Sequence, residues 1–144
     1  RTLLTEPMTH RYGTHEFYRT PIYDRVYKAT PDGYLLEMDD DYGCMAAWYV
    51  LSAMGLFPVC PGSPVYQLTA PVFDRVSIRL DKNYYPGQQF TIRANRLSAE
   101  NIYIQSATLN GRAYTRSSIT HEAIVHGGEL IFEMGPQPNK QWGL

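Results

Sequence analysis

The sequence predicts an α+β chain, a short helical N-terminal segment followed by an antiparallel, β-rich, sandwich-like section. Three observations carry this. Residues 42–54 form an apolar run of helical length, closed by Gly55 and Pro58. Beyond Pro64 the apolar period drops to two, the repeat of half-buried antiparallel strands. Within that region Asn110-Gly111 suits the positive φ angles of a type I′ hairpin turn.

Residues 1–20, which include His10 and His15, show no sustained period and read as an irregular segment. Thr20-Pro21 then looks like an N-cap with proline at the first helical position. Ile22, Tyr23, Val26 and Tyr27 follow at i, i+1, i+4 and i+5, so a short helix is expected over 21–28. Thr30-Pro31-Asp32-Gly33 is a turn, because proline presets φ and Asp-Gly supplies the reversal. In the helix over 42–54, Met45, Trp48, Tyr49 and Leu51 alternate with Ala46, Ala47 and Ala53. A helix with no polar face is expected to be buried all round, with Trp48 in the core.

After Pro64, Val76, Ile78 and Leu80 alternate with polar neighbours, as do Phe90, Ile92 and Ala94, and then Ile102 and Ile104. Residues 119–124 read as a short helical turn with a Ser or Thr cap, and Gly127-Gly128 opens a last strand over 129–134. About six strands are expected between 64 and 136.

The 144 residues suffice for one ordinary core. Thirteen Lys and Arg face fourteen Asp and Glu, a net charge of −1, so no field draws in nucleic acid or an anionic membrane. No apolar run reaches the roughly 18 residues of a membrane span, and the opening residues do not resemble a signal peptide. The chain opens on Arg1 rather than Met and is read as a portion of a longer polypeptide. Cys44 and Cys60 lack zinc or CxxC spacing and read as two buried thiols, with a disulfide between them left open. Aromatic residues make up 13% of the chain and include twelve tyrosines, which fits a β-rich domain, a sugar-handling surface, or both.

The residues that point to chemistry are Asp39, Asp40 and Asp41, three consecutive carboxylates directly before the apolar helix. One acid is enough to cap a helix, and three adjacent negative charges repel. Such a cluster suits a hard cation, a proton acceptor that activates water, or both. The competing reading is that they cap the helix and face water, with its dipole contributing up to about 1 kcal/mol.

From Asp39 the string Asp-Asp-Asp-Tyr-Gly-Cys-Met-Ala-Ala-Trp-Tyr-Val-Leu-Ser-Ala-Met-Gly-Leu-Phe-Pro-Val, followed by Cys-Pro-Gly-Ser, resembles the C-terminal signature of family 92 glycoside hydrolases. These are calcium-dependent exo-α-mannosidases, including α-1,2-mannosidases. The later segments Tyr-Ile-Gln-Ser-Ala-Thr-Leu-Asn-Gly from Tyr103, Ile-Thr-His-Glu from Ile119, Gly-Gly-Glu-Leu from Gly127 and Phe-Glu-Met-Gly-Pro from Phe132 resemble the same family in the same order.

The resemblance implies that residues 1–60 are terminal helices of a catalytic (α/α) barrel, with an acidic loop at 37–43, and that 61–144 form the C-terminal β-rich section. It implies inversion at the anomeric carbon, with a carboxylic acid protonating the leaving oxygen and a carboxylate base activating water. Carried over by position, Asp41 is the general base and Asp39 its partner or rival. Asp40 stands between them, and Glu6, in Thr5-Glu6-Pro7 where the family has Asn-Glu-Pro, lies near metal or sugar. Ca²⁺ is the expected cofactor, mannose-containing glycans the substrates, and upstream domains of the same polypeptide the partners. A bacterial periplasm, cell surface or secreted location is expected.

Met38 replaces a usual glycine and Cys44 a usual Gln or Ser. No Glu-Gly-x-x-Trp-Gln segment, which carries the family's general acid, is present, so the chain alone is expected to be inactive. His121 and Glu122, at the short helical turn, read as structural. The alternative reading is a non-catalytic carbohydrate-binding or structural β-domain, which exposed coplanar aromatics on one β face would favour.

Overall fold

The period-two region folds into two sheets that share one core. The computed structural model describes residues 9–12, 22–25 and 41–144. Strands β3 (Leu56–Phe57), β4 (Val65–Leu68) and β9 (Ser118–Thr120) form a three-stranded sheet in the order β3-β4-β9. Strands β5 (Arg75–Arg79), β6 (Gln89–Asn95), β7 (Tyr103–Leu109), β8 (Arg112–Ala113) and β10 (Gly128–Gly135) form a five-stranded sheet in the order β5-β6-β10-β7-β8. Leu56, Leu68 and Ile119 from the smaller sheet pack in one cluster with Phe90, Ile92, Ile104, Leu130, Phe132 and Met134 from the larger. Ile124 of helix α2 (His121–Val125) joins them. Each such side chain contributes about 1.5–3 kcal/mol on burial.

The last strand is the centre of the larger sheet. It pairs antiparallel with β7 and parallel with β6, with Leu130 beside Ile92 and Phe132 beside Ala94. This parallel pair departs from the all-antiparallel expectation. A parallel connection needs a crossover of a dozen or more residues. Residues 96–127 supply it, carrying β7, β8, β9 and α2 on the way. Alternation along a strand reports which face is buried, not the direction of its neighbour.

Local signals hold as expected at several joints. Asn110 and Gly111 turn from β7 into β8 with φ of 50° and 76°. The Asn110 side-chain oxygen also accepts the Glu129 N–H at 2.8 Å, while the Asn110 N–H donates to the Glu129 carbonyl at 2.8 Å. The hairpin turn is thereby tied to the central strand. Thr120 caps α2, its hydroxyl accepting the Ala123 N–H at 3.2 Å.

Helix α1 (Cys44–Met54) ends at Gly55, whose φ is 89° and whose N–H donates to the Ser52 carbonyl at 3.0 Å. Contrary to expectation, α1 is not buried all round. Only Ser52 and Ala53 are buried, whereas Met45 is 51%, Tyr49 40% and Val50 54% exposed. Trp48 is half-buried and stands outside the core cluster. The apolar pattern records a surface built to be covered, and the described residues cover its last turn alone.

Two further expectations are corrected. Cys44 and Cys60 are both free and exposed, because one sits in the first turn of α1 and the other in the turn beyond Pro58. The expected helix over 21–28 is instead strand β2 (Ile22–Arg25), and residues 1–20 contain strand β1 (Thr9–Tyr12) rather than only irregular chain. The two pair antiparallel, with His10 opposite Asp24 and Tyr12 opposite Ile22. Over so few residues, i and i+4 spacing does not separate the two states, and aromatic and β-branched residues favour the strand. The Thr30–Gly33 turn lies outside the described residues. Contacts divide the chain into two units, Arg1–Ala47 and Trp48–Leu144.

Candidate functional site

Asp41 begins a single 3-10 turn, Asp41–Gly43, that leads directly into α1. Tyr42 in this turn has φ 57° and ψ 20°, and Gly43 has φ 76°. Two successive left-handed residues bend the chain sharply just before the helix. Glycine adopts that conformation freely, whereas a tyrosine there costs roughly 1–2 kcal/mol. Nothing in the residue type announces the tyrosine's conformation, so the sequence reading missed it.

This geometry bears on the capping alternative. The helix starts at Cys44, and its first turn contains no acidic residue. The position before Cys44 is Gly43, which has no side chain to accept a helix N–H. The dipole's benefit to an acid falls away beyond the first turn. Asp41 therefore precedes the capping position rather than occupying it.

The residues that directly follow Asp41 in the chain are mostly exposed. Tyr42 is fully exposed at 105%, and Cys44 and Met45 beside it are exposed. Met45 and Tyr49, four residues apart, lie on one helix face. Asp39, Asp40, Glu6, Met38 and His15 lie outside the described residues, and His10 lies in β1. Among the described residues no group of three or more His, Cys, Asp or Glu side chains converges.

In the β section, His121 packs beside two tyrosines, and the Glu122 side chain is exposed. The Tyr66 hydroxyl and His121 Nδ1 are 3.2 Å apart, and the Tyr85 ring meets the imidazole edge-on at 6.0 Å. Glu122 lends its backbone carbonyl to the His126 N–H at 3.1 Å. The outer face of the larger sheet, across β5, β6 and β10, carries Arg, Ser, Gln, Thr, Asn and Glu residues and one isoleucine. These three strands carry no aromatic side chain there, whereas Tyr103 of β7 in the same sheet is 40% exposed. Among the described residues no helix is long and apolar enough to cross a membrane.

Comparison with known proteins connects these features. Residues 9–136 match the glycosyl hydrolase family 92 catalytic domain. An uncharacterized secreted glycosidase of Arthroderma benhamiae is 42% identical over 107 residues, which are 73% of this chain and 13% of that protein. A family 92 inverting mannosidase from Bacteroides thetaiotaomicron superposes with a TM-score of 0.65 at 42% identity, over 72% of this chain and 14% of the enzyme. The family 92 glycosyl hydrolase ccman5 superposes with a TM-score of 0.79 at 35% identity, over 97% of this chain and 19% of its own. A family 92 α-mannosidase from B. thetaiotaomicron in complex with mannoimidazole gives a TM-score of 0.68 at 30% identity, over 77% of this chain and 14% of that enzyme. The chain thus spans less than a fifth of the relatives it matches. With an acidic turn, apolar helix and two-sheet section in the family's order, and the family's domain matched across both, this chain belongs to glycosyl hydrolase family 92.

Proposed function

We propose that this chain is the C-terminal part of an exo-acting α-mannosidase that removes terminal α-mannosides with inversion. Asp41 serves as the general base, and Asp39 and Asp40 set its electrostatic surroundings. The observation that carries this reading is the placement of Asp41 one residue ahead of a left-handed tyrosine, outside the helix-capping position. An acid there is not accounted for by capping, and the inverting mannosidase and the mannoimidazole-bound relative supply the chemical class.

In an inverting hydrolysis the base takes a proton from water as the water attacks the anomeric carbon, and an acid on the opposite side protonates the departing oxygen. The two carboxyl groups stand about 6.5–9.5 Å apart to admit that water. In this reading Asp41 holds the proton taken from water. The acid, like the rest of the barrel, comes from upstream domains of the same polypeptide. The chain alone is then inactive, because a base without its acid loses the concerted proton transfer.

Calcium is proposed for the parent enzyme. Carboxylate oxygens of residues 39–41 are suitable donors for a hard cation. When bound, the ion would polarise and orient sugar hydroxyls, and residues outside the described ones would complete its shell. Secretion to a periplasm, cell surface or medium is proposed on the secreted fungal relative.

The test is Asp41→Asn in the full-length protein, assayed on α-mannosides with Ca²⁺ and with a chelator. Turnover is expected to fall by about 10²–10⁴-fold while the fold is kept, and the unmodified enzyme's product is expected as the β-anomer by NMR. Unchanged turnover in Asp41→Asn would remove Asp41 from the role. Turnover by the 144-residue chain alone would place the acid within it.

A further inference from the structure

On the larger sheet, register sets Arg75 of β5 directly opposite Arg93 of β6. Residues so placed hold their Cβ atoms about 4.5–5.5 Å apart, and like charges there repel. Just past β6 comes a third guanidinium, that of Arg96, whose backbone is left-handed at φ 61°. The Arg96 carbonyl accepts the Asn101 side-chain amide at 2.9 Å, and the Ser98 hydroxyl accepts the N–H groups of Glu100 and Asn101 at 3.2 and 2.9 Å. The loop carrying Arg96 is therefore pinned. On the other wall, the Asp74 carbonyl accepts the Ala94 N–H at 2.9 Å.

Arg75, Arg93 and Arg96 line a cleft of about 420 Å³ together with Asp74. Glu129 lies 3.6 Å from Arg93, both side chains being half-exposed. Among the described residues no carboxylate lies within ion-pairing distance of Arg75 or Arg96. Asp74 lies in the lining, Glu129 beside Arg93, and Glu133 accepts from the Asn95 side-chain amide at 2.6 Å, so acids and arginines balance at three each; what distinguishes the cleft is that Arg75 and Arg96 have no such carboxylate partner among the described residues.

We infer that this cleft binds an oxyanion, a phosphate or a carboxylate group, with Arg75 and Arg96 as its principal partners. Guanidinium forks match both groups through paired N–H donors, and the anion would relieve the repulsion between Arg75 and Arg93. Arg93, already near Glu129, contributes chiefly charge. The cleft lies wholly within residues 74–97 and does not depend on the role proposed for Asp41.

The experiment titrates the full-length protein at constant ionic strength with inorganic phosphate, and separately with glucuronate as the carboxylate probe, following binding by isothermal titration calorimetry. Saturable binding is expected. Binding is expected to weaken at least tenfold in Arg75→Gln and in Arg96→Gln and to stay unchanged in Arg79→Gln, an exposed arginine on the same strand. Saturation by phosphate only, or by glucuronate only, supports the site and assigns the group it takes. Binding that fails to saturate with both probes, or that is the same in all variants, overturns it. Should Arg75→Gln fail to fold, Arg96→Gln decides the matter alone.

Discussion

Replacing Phe132 by alanine tests whether the last strand is the true centre of the fold. Phe132 has 0% exposure and sits on β10, hydrogen-bonded on both sides, between β6 and β7. Its ring meets Trp142 edge-to-face, with centroids 6.2 Å apart and planes at 89°. Truncating a fully buried phenylalanine costs about 3–5 kcal/mol, through lost transfer energy and the cavity left behind. The aromatic pair accounts for roughly 0.5–1.5 kcal/mol of that loss. A domain of this size is stable by only about 5–15 kcal/mol, so the change removes a large share. With a urea slope of about 1–3 kcal/mol per molar, the midpoint should fall by roughly 2 M. The assay is urea unfolding of the 144-residue chain, followed by circular dichroism, with the slope checked for constancy. Phe132→Leu retains most of the volume and should lose only about 1–1.5 kcal/mol, a measurable result even if the alanine variant fails to fold. A loss below about 1 kcal/mol for Phe132→Ala, at constant slope, would refute the placement of β10 at the centre.

Gly55→Ala should destabilise by about 2 kcal/mol or more in the same assay. Its Cβ would stand 2.8 Å from the Thr69 carbonyl oxygen, and its φ of 89° disfavours any side chain. Asn110→Ala should cost about 1–3 kcal/mol, because the Glu129 N–H loses its acceptor and the turn loses a residue that tolerates positive φ. Both cysteines should react promptly with a thiol reagent in the folded chain; protection of either until unfolding would contradict their exposure.

What was legible in the sequence lies within a few residues of each signal. The Asn110-Gly111 turn, the Thr120 cap and the Gly55 helix end follow from backbone sterics and local hydrogen bonding, which a short window contains. The alternation of Val76 and Ile78, or of Phe90 and Ile92, likewise identified faces that the structure buries wholly or in part. The triplet at 39–41 was legible as a candidate because three adjacent like charges are costly wherever they occur. Short segments failed: Ile22–Arg25 carries too few residues for its period to separate helix from strand, and the pairing with Thr9–Tyr12 decided it.

The sequence by itself determined the family, the succession of apolar helix and β-rich section after residue 42, and the acids most worth testing, since each rests on residue identity and local spacing. Tertiary structure alone decided that β10 inserts parallel to β6, because strand neighbours are chosen by long-range packing that no local pattern encodes. It alone set Arg75 against Arg93 through the register of two separate strands. It also decided that Tyr42 turns left-handed ahead of α1, which leaves Gly43 rather than an aspartate before the helix. That conformation is unfavourable for the isolated residue, so only the surrounding chain can impose it.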